Sequence, residues 1–277
     1  MRFIVATLIL LLAFTCHTRA QDEDLAKNRG VLLEHLSWDK AEKALTPNTV
    51  VVIPLGGAAK EHGYHLSLDA DFLQAEYFKS QVLRRADVVI APTINYHFYP
   101  AFEEYPGSTS LRLETARDLV VDICKSLARY GPHRFYVLNI GLSTLQALKP
   151  AADLLAKHGI LLRYTDFEKT LEPIKEKIAR QEGGSHADEV ETSILLYTNP
   201  QSVEMKRAVK DYRERKGFPT RDPENAQGTY LPSGVYGDAT LATREKGKQF
   251  AEALTVGILK DIEDLRQTLL PAKAQER

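Results

Sequence analysis

The chain alternates between unbroken apolar runs and stretches in which apolar residues recur every three or four positions. "NTVVVIPLG" (48–56) is β-branched and apolar until Pro and Gly end it, which predicts a strand buried on both faces. Phe72, Ala75, Phe78, Val82 and Ala86 follow at helical spacing over 72–86. "DVVIAPT" (87–93) predicts a second strand. The loop after it, "INYHFYPAFEEYPGSTS", is rich in aromatics, Pro and Gly, and its length suggests function rather than mere connection. A helix is predicted over 111–130, with Ala116, Val120, Ile123, Leu127 and Tyr130 on one stripe and Gly131-Pro132 as its stop.

"RFYVLNI" (134–140) predicts the third strand. Ser143 is placed to cap a helix that runs to Lys157, interrupted or restarted at Pro150, with Gly159 as terminator. "ILLRY" (160–164) predicts a fourth strand, and a charged helix follows over about 168–182. "ILLYT" (194–198) reads as another strand, 201–232 as polar and irregular, and 243–267 as a last helix carrying Phe250, Leu254, Ile258, Ile262 and Leu265. Strands alternating with helices argue an α/β fold: a single three-layer domain with a mostly parallel sheet flanked by helices. The expected domain covers 36–268, after an N-terminal segment (21–35) and before a tail (269–277). In such sheets ligands bind beyond the carboxyl ends of the strands, so the loops after the first three strands are expected to share one rim.

Composition changes little of this picture and sets its limits. Of 277 residues 44% are hydrophobic, enough for a sizeable core, and the net charge of −1 with dispersed Lys and Arg gives no footprint for nucleic acid. The first twenty residues differ from the rest. Arg2 precedes an apolar run, Phe3 to Phe14, too short to span a bilayer comfortably, and Thr18-Arg19-Ala20 fits a small-x-small cleavage site. A signal peptide over 1–20 is expected, and with it an exported protein, periplasmic or extracellular. The alternatives are an uncleaved anchor and a lipoprotein at Cys16, although "AFTC" is a poor lipobox. Cys124 is then the only thiol of the mature chain and sits in an apolar helical stripe, as a small core residue would.

Two polar clusters stand at predicted loops. His62, His65 and Asp71 lie within ten residues in "EHGYHLSLDAD", where Gly63 permits a sharp turn. Imidazole and carboxylate together suit a borderline dication, with Asp69 as eligible as Asp71; a solvated loop ending in a helix cap reads equally well from the residues alone. In "SHADEVETS" His186 stands five residues before Glu191, near the start of the expected strand, and such a pair can serve as general acid and base or be ordinary surface charge.

Five segments in order resemble the creatininase (creatinine amidohydrolase) family: "LSWDKAEKAL", "IPLGGAAKEHGYHLSLDAD", "PGSTSLRLET", "SHADEVETS" and "GVYGDATLATREKGKQ". The resemblance spans about residues 36–265. It implies an α/β fold with a divalent-metal centre, Zn or Mn and usually dinuclear, and hydrolysis of C–N bonds in cyclic or unusual small amides. Many members are hexamers, so a homo-oligomer is implied. By the same resemblance His62 and Asp71 are metal ligands, His65 orients a ligand from behind, His186 moves a proton and Glu191 supports it. Two positions depart from the family pattern. Lys60 stands where the first ligand, a Glu, is expected: either Glu61 supplies the ligand or the Lys60 ammonium repels one cation. Gly141 stands where a His ligand is expected, with His97 as a candidate substitute or an ordinary exposed or core histidine. One ion rather than two is therefore expected. Creatinine-degrading members place tryptophans around the substrate, whereas Trp38 is this chain's only one, so creatinine is not the expected substrate. Tyr96 and His97 are candidates for lining a different pocket, whose shape depends on loops 94–110 and 216–234. The expected function is an exported metal-dependent amidohydrolase; the alternative is a non-catalytic binding protein with a degenerate metal site.

Overall fold

The unbroken apolar runs lie side by side at the centre of the molecule. The computed structural model describes residues 28–274, so the expected signal peptide and Cys16 lie outside the described residues. Strands β1 (Val31–Leu32), β2 (Val50–Leu55), β3 (Val89–Ile90), β4 (Arg134–Asn139) and β5 (Leu161–Tyr164) form one sheet in the order β1-β3-β2-β4-β5. All its pairings are parallel, with Val51 beside Val89 on one side and Phe135 on the other. β1 thus places part of the expected N-terminal segment inside the sheet.

Seven helices surround or extend this sheet among the described residues: α1 (Trp38–Ala44), α2 (Ala70–Arg85), α3 (Leu113–Ala128), α4 (Leu145–Ala156), α5 (Phe167–Ile178), α6 (Glu189–Thr198) and α7 (Arg244–Gln267). The alternation along β2 explains the layering. Val50 and Val52 point into a core shared with Phe78 of α2, Leu171 of α5, Ile194 of α6 and Leu254 of α7. Val51, Ile53 and Leu55 point to the opposite face, against Val120 and Cys124 of α3 and Leu148 of α4. Each such side chain removed from water contributes about 1.5–3 kcal/mol before entropy is counted. No helix among the described residues is long and apolar enough to cross a membrane.

Two expectations fail locally. "ILLYT" is the second half of α6 and not a strand. Most of α6 is buried on all sides, so its apolar run lost the helical period that would have marked it. The deciding signal is Asp188, whose carboxylate accepts the Val190 and Glu191 N–H groups as an N-cap. The cap position before α4 is Thr144 rather than Ser143, and its hydroxyl turns back to Asn139 Oδ1 and the Gly141 carbonyl, both at 2.6 Å. Past α6, 201–236 holds only short pieces: β6 (Lys210–Asp211), β7 (Pro219–Thr220) and β8 (Thr229–Tyr230), with β9 (Gly237–Asp238) pairing back to β6.

Candidate functional site

The loops after β2, β3 and β4 leave the carboxyl rim of the sheet and meet the segments 185–191 and 215–236 around one cavity of about 260 Å³. Lys60, Phe102, Ser143, His186, Glu191 and Arg215 are among the residues lining it. The two variable loops singled out from the sequence both contribute to its wall, through Ala101 and Phe102 on one side and Gly217 to Leu231 on the other.

Beneath the cavity lies a buried charged set. Asp71, in the first turn of α2, is wholly buried; its Oδ2 accepts from Lys60 Nζ at 2.6 Å and its Oδ1 from His62 Nε2 at 2.7 Å. His62 Nδ1 faces the Lys60 carbonyl at 2.9 Å, so each ring nitrogen meets an oxygen that can only accept. Burial opposes ionisation of Asp71, but the Lys60 ammonium and then His62 outweigh it and hold the carboxyl well below the ordinary range. Lys60 is itself buried, with the Tyr99 and Phe102 ring centroids 5.3 and 5.2 Å from Nζ.

The second half comes from the loop before α6. His186 Nε2 donates to the Glu61 carbonyl at 2.9 Å and to Glu61 Oε2 at 3.1 Å, and its Nδ1 lies 3.6 Å from Glu191 Oε2. Ala187 holds a left-handed φ of 48°, which a side chain adopts only at a cost, and its N–H donates to Glu191 Oε2 at 2.6 Å. Burial pushes the Glu191 carboxyl up to about 7 against the opposing pull of His186 and Lys60. The His186 ring packs against Phe102 and His62, with centroids 4.2 and 4.8 Å away.

Some expected residues meet here and others do not. Donor atoms of His62, His186 and Glu191, all buried, lie within 4.8 Å of one another, a His/Glu group able to hold a metal ion. Glu61 is turned elsewhere: its carboxylate accepts from Gly63 N–H and His186. Gly63 has φ 71°, and a Cβ there would press on Val235, so the sharp turn expected in this segment requires glycine. His65 braces the loop against α6 through Thr192 Oγ1 at 2.8 Å, and burial followed by the nearby His62 lowers it to about 4. Asp69 is the residue preceding α2 and bonds Ser67, away from the buried set.

Tyr96 and His97 do not line the cavity. Tyr96 is half exposed, and His97 is buried with Nε2 3.1 Å from the Ala116 carbonyl, because a residue facing α3 cannot also face the rim. Trp38 is 81% exposed on α1 and also stands outside the cavity lining. At position 141 a Cβ would sit 3.3 Å from Tyr99 Cε1 and 3.2 Å from Thr144 Cγ2, so Tyr99 fills the space beside that glycine. Sequence reasoning set Lys60 at an expected ligand's position, but it passed over Arg215 as part of the cavity wall. Arg215, in the irregular segment, carried no signal.

Comparison with known proteins agrees with this architecture. The creatinine amidohydrolase of Pseudomonas putida is 26% identical over 251 residues, 83% of this chain and 95% of that protein. The 3-dehydro-scyllo-inosose hydrolase of Thermotoga maritima is 24% identical over 268 residues, 86% of this chain and 84% of that protein. Among solved structures, the one titled "Creatininase Mn" superposes with a TM-score of 0.69 at 23% identity, covering 86% of this chain and all of the other (100%). A creatininase mutant described as Zn-Zn type gives 0.68 at 23% identity over 86% of this chain and 98% of the other. Those neighbours share the parallel sheet and its flanking helices. The family model described as creatinine amidohydrolase matches residues 34–262, and this chain belongs to the creatininase family.

Proposed function

We propose that this protein is an exported hydrolase, a homo-oligomer, that cleaves a C–N bond in a small amide other than creatinine with one divalent ion, Zn or Mn. The ion would be held by His62, His186 and Glu191. The observation that carries this reading is the convergence of those three buried donors, two of which, His186 and Glu191, line the cavity. Two imidazole nitrogens and a carboxylate oxygen are a donor set for a borderline dication. The relatives' names, hydrolases in both cases, support hydrolysis, and that of the creatinine amidohydrolase supports a C–N bond as its target. One ion rather than two is supported by Lys60, whose ammonium already occupies Asp71, and by Tyr99 beside Gly141.

Such an ion, when bound, polarises a carbonyl and brings the pKa of its water down toward about 7. The chain's own residues prepare the rest. The Lys60 carbonyl accepts from His62 Nδ1 and fixes the ring, and Nε2 would give up its bond to Asp71 for the ion. Glu61 accepts the Nε2 proton of His186 and so turns Nδ1 toward Glu191. Phe102 and Leu231, both buried, give the wall its apolar part, and no tryptophan takes part among the described residues, which is why creatinine is left out. Ser143 and Ser185 offer hydroxyls to a bound amide.

Metal analysis of protein purified without chelator tests this. Near-stoichiometric Zn or Mn, lost in His62→Ala, together with turnover in a panel of cyclic and linear small amides, is the expected result. A metal-free protein whose melting temperature ignores EDTA overturns it. A second reading, a non-catalytic binding protein, is favoured by the 2.6 Å Lys60–Asp71 pair, which neutralises a carboxylate without any ion; that same metal-free outcome is the one it requires.

A further inference from the structure

The cavity lining carries two cationic side chains, Lys60 and Arg215, against one carboxylate, Glu191. Lys60 carries three N–H donors, and among the described residues only one acceptor, Asp71 Oδ2, engages them. Lys60 is only 4% exposed and lines the cavity, and beyond Asp71 only the faces of the Tyr99 and Phe102 rings, not a second oxygen, meet its ammonium among the described residues. A buried donor left unmet costs free energy that a ligand oxygen would recover. Ser143, Gln146 and Ser185 also line the space, and their side chains bond no described residue. Arg215 stands exposed at the mouth and forms no ion pair among the described residues. The one carboxylate facing in, Glu191, already spends an oxygen on the Ala187 N–H.

We infer that the cavity binds the carboxylate of a small acid, received by Lys60 at the floor and drawn in by Arg215 at the mouth. The inference deepens the reading above by naming the substrate class, an amide that also bears a carboxylate, but its binding half needs no metal. Charge-assisted bonds from an ammonium and a guanidinium are the strong ones for such a group. A cavity of about 260 Å³ holds a ligand the size of a C3 or C4 acid, given the ~30 Å³ that one water occupies in the liquid.

The probe is malonate, with malonamide as its uncharged counterpart of similar shape, titrated calorimetrically into EDTA-stripped protein so that no ion can hold the anion. Saturable malonate binding without malonamide binding is expected. Arg215→Glu, an exposed change, weakens it by about tenfold or more, the scale of one lost ionic contact. The double variant Lys60→Met with Asp71→Asn, which leaves no lone buried charge, abolishes it. Equal binding of the two probes, no malonate binding at all, or wild-type affinity in both variants overturns the inference. Metal content, measured on the same preparation before stripping, reports separately on the hydrolase reading. A metal-free protein that binds malonate through Lys60 keeps this inference and sinks that one.

Discussion

Lys60→Met should be among the most damaging single substitutions in the chain, and the reason can be worked from the pair it breaks. Lys60 Nζ and Asp71 Oδ2 are 2.6 Å apart, with the two side chains 5% and 0% exposed. At an effective dielectric of about 20, two unit charges at that distance attract by roughly 6 kcal/mol, and desolvation of both ions consumes most of it. Removing one partner forfeits the attraction while the other's desolvation remains, which costs about 3–5 kcal/mol. Methionine keeps most of the volume under Tyr99 and Phe102, so the loss is electrostatic rather than steric. Asp71→Asn should cost a comparable amount, since it strands the ammonium. The double variant should return to within about 1.5 kcal/mol of wild type, because a neutral pair of similar size has nothing left to pair. Urea unfolding of all four proteins in EDTA, with unchanged m-values, gives the coupling energy of the cycle directly. A Lys60→Met cost below about 1 kcal/mol, or strict additivity in the double variant, refutes the placement of that ammonium on Asp71.

Two further outcomes follow from particular contacts. Burial lowers His97 to about 4 from its ordinary 6.5, so folding stability should be intact above pH 6.5 and fall as pH drops toward 4, by roughly 3 kcal/mol from this group. Chemical unfolding across that range should show a shallower loss in His97→Gln, and an unchanged slope contradicts the burial. Gly234 has φ 77°, and a Cβ there would run into the Glu61 carboxylate, so Gly234→Ala should cost about 1–3 kcal/mol in thermal unfolding. It should also free His186 from Glu61, visible as a shifted imidazole resonance; an unmoved resonance means that Glu61 does not set that ring.

The sheet was readable from the sequence because β2 and β4 are apolar on both faces, a pattern that only a sandwiched strand tolerates. α6 was not readable, since a helix buried nearly all round erases its own period and leaves only the Asp188 cap as a signal. His62 and Asp71 were legible as a pair, and they do face each other at 2.7 Å. The partition of roles was less so. Glu61 precedes His62 in the chain, yet its carboxylate reaches across to the loop before α6. Local spacing carries no information about that contact, which joins residues 125 positions apart. His97 and Tyr96 looked like pocket residues by composition, but one faces α3 and the other solvent.

The Tyr99 ring lodged against Gly141 constrains what position 141 can hold. That ring is held by packing against Gly57 and Gly141 and by the Lys60 ammonium 5.3 Å from its centroid. A histidine introduced at 141 would meet the ring at its first side-chain carbon, 3.3 Å away. A side chain at 141 therefore requires Tyr99 and Thr144 to give way by a few tenths of an ångström, and whether a ligand fits there depends on how far that packing can move. Positions 99 and 141 are thereby coupled, and a change at one is expected to call for a change at the other.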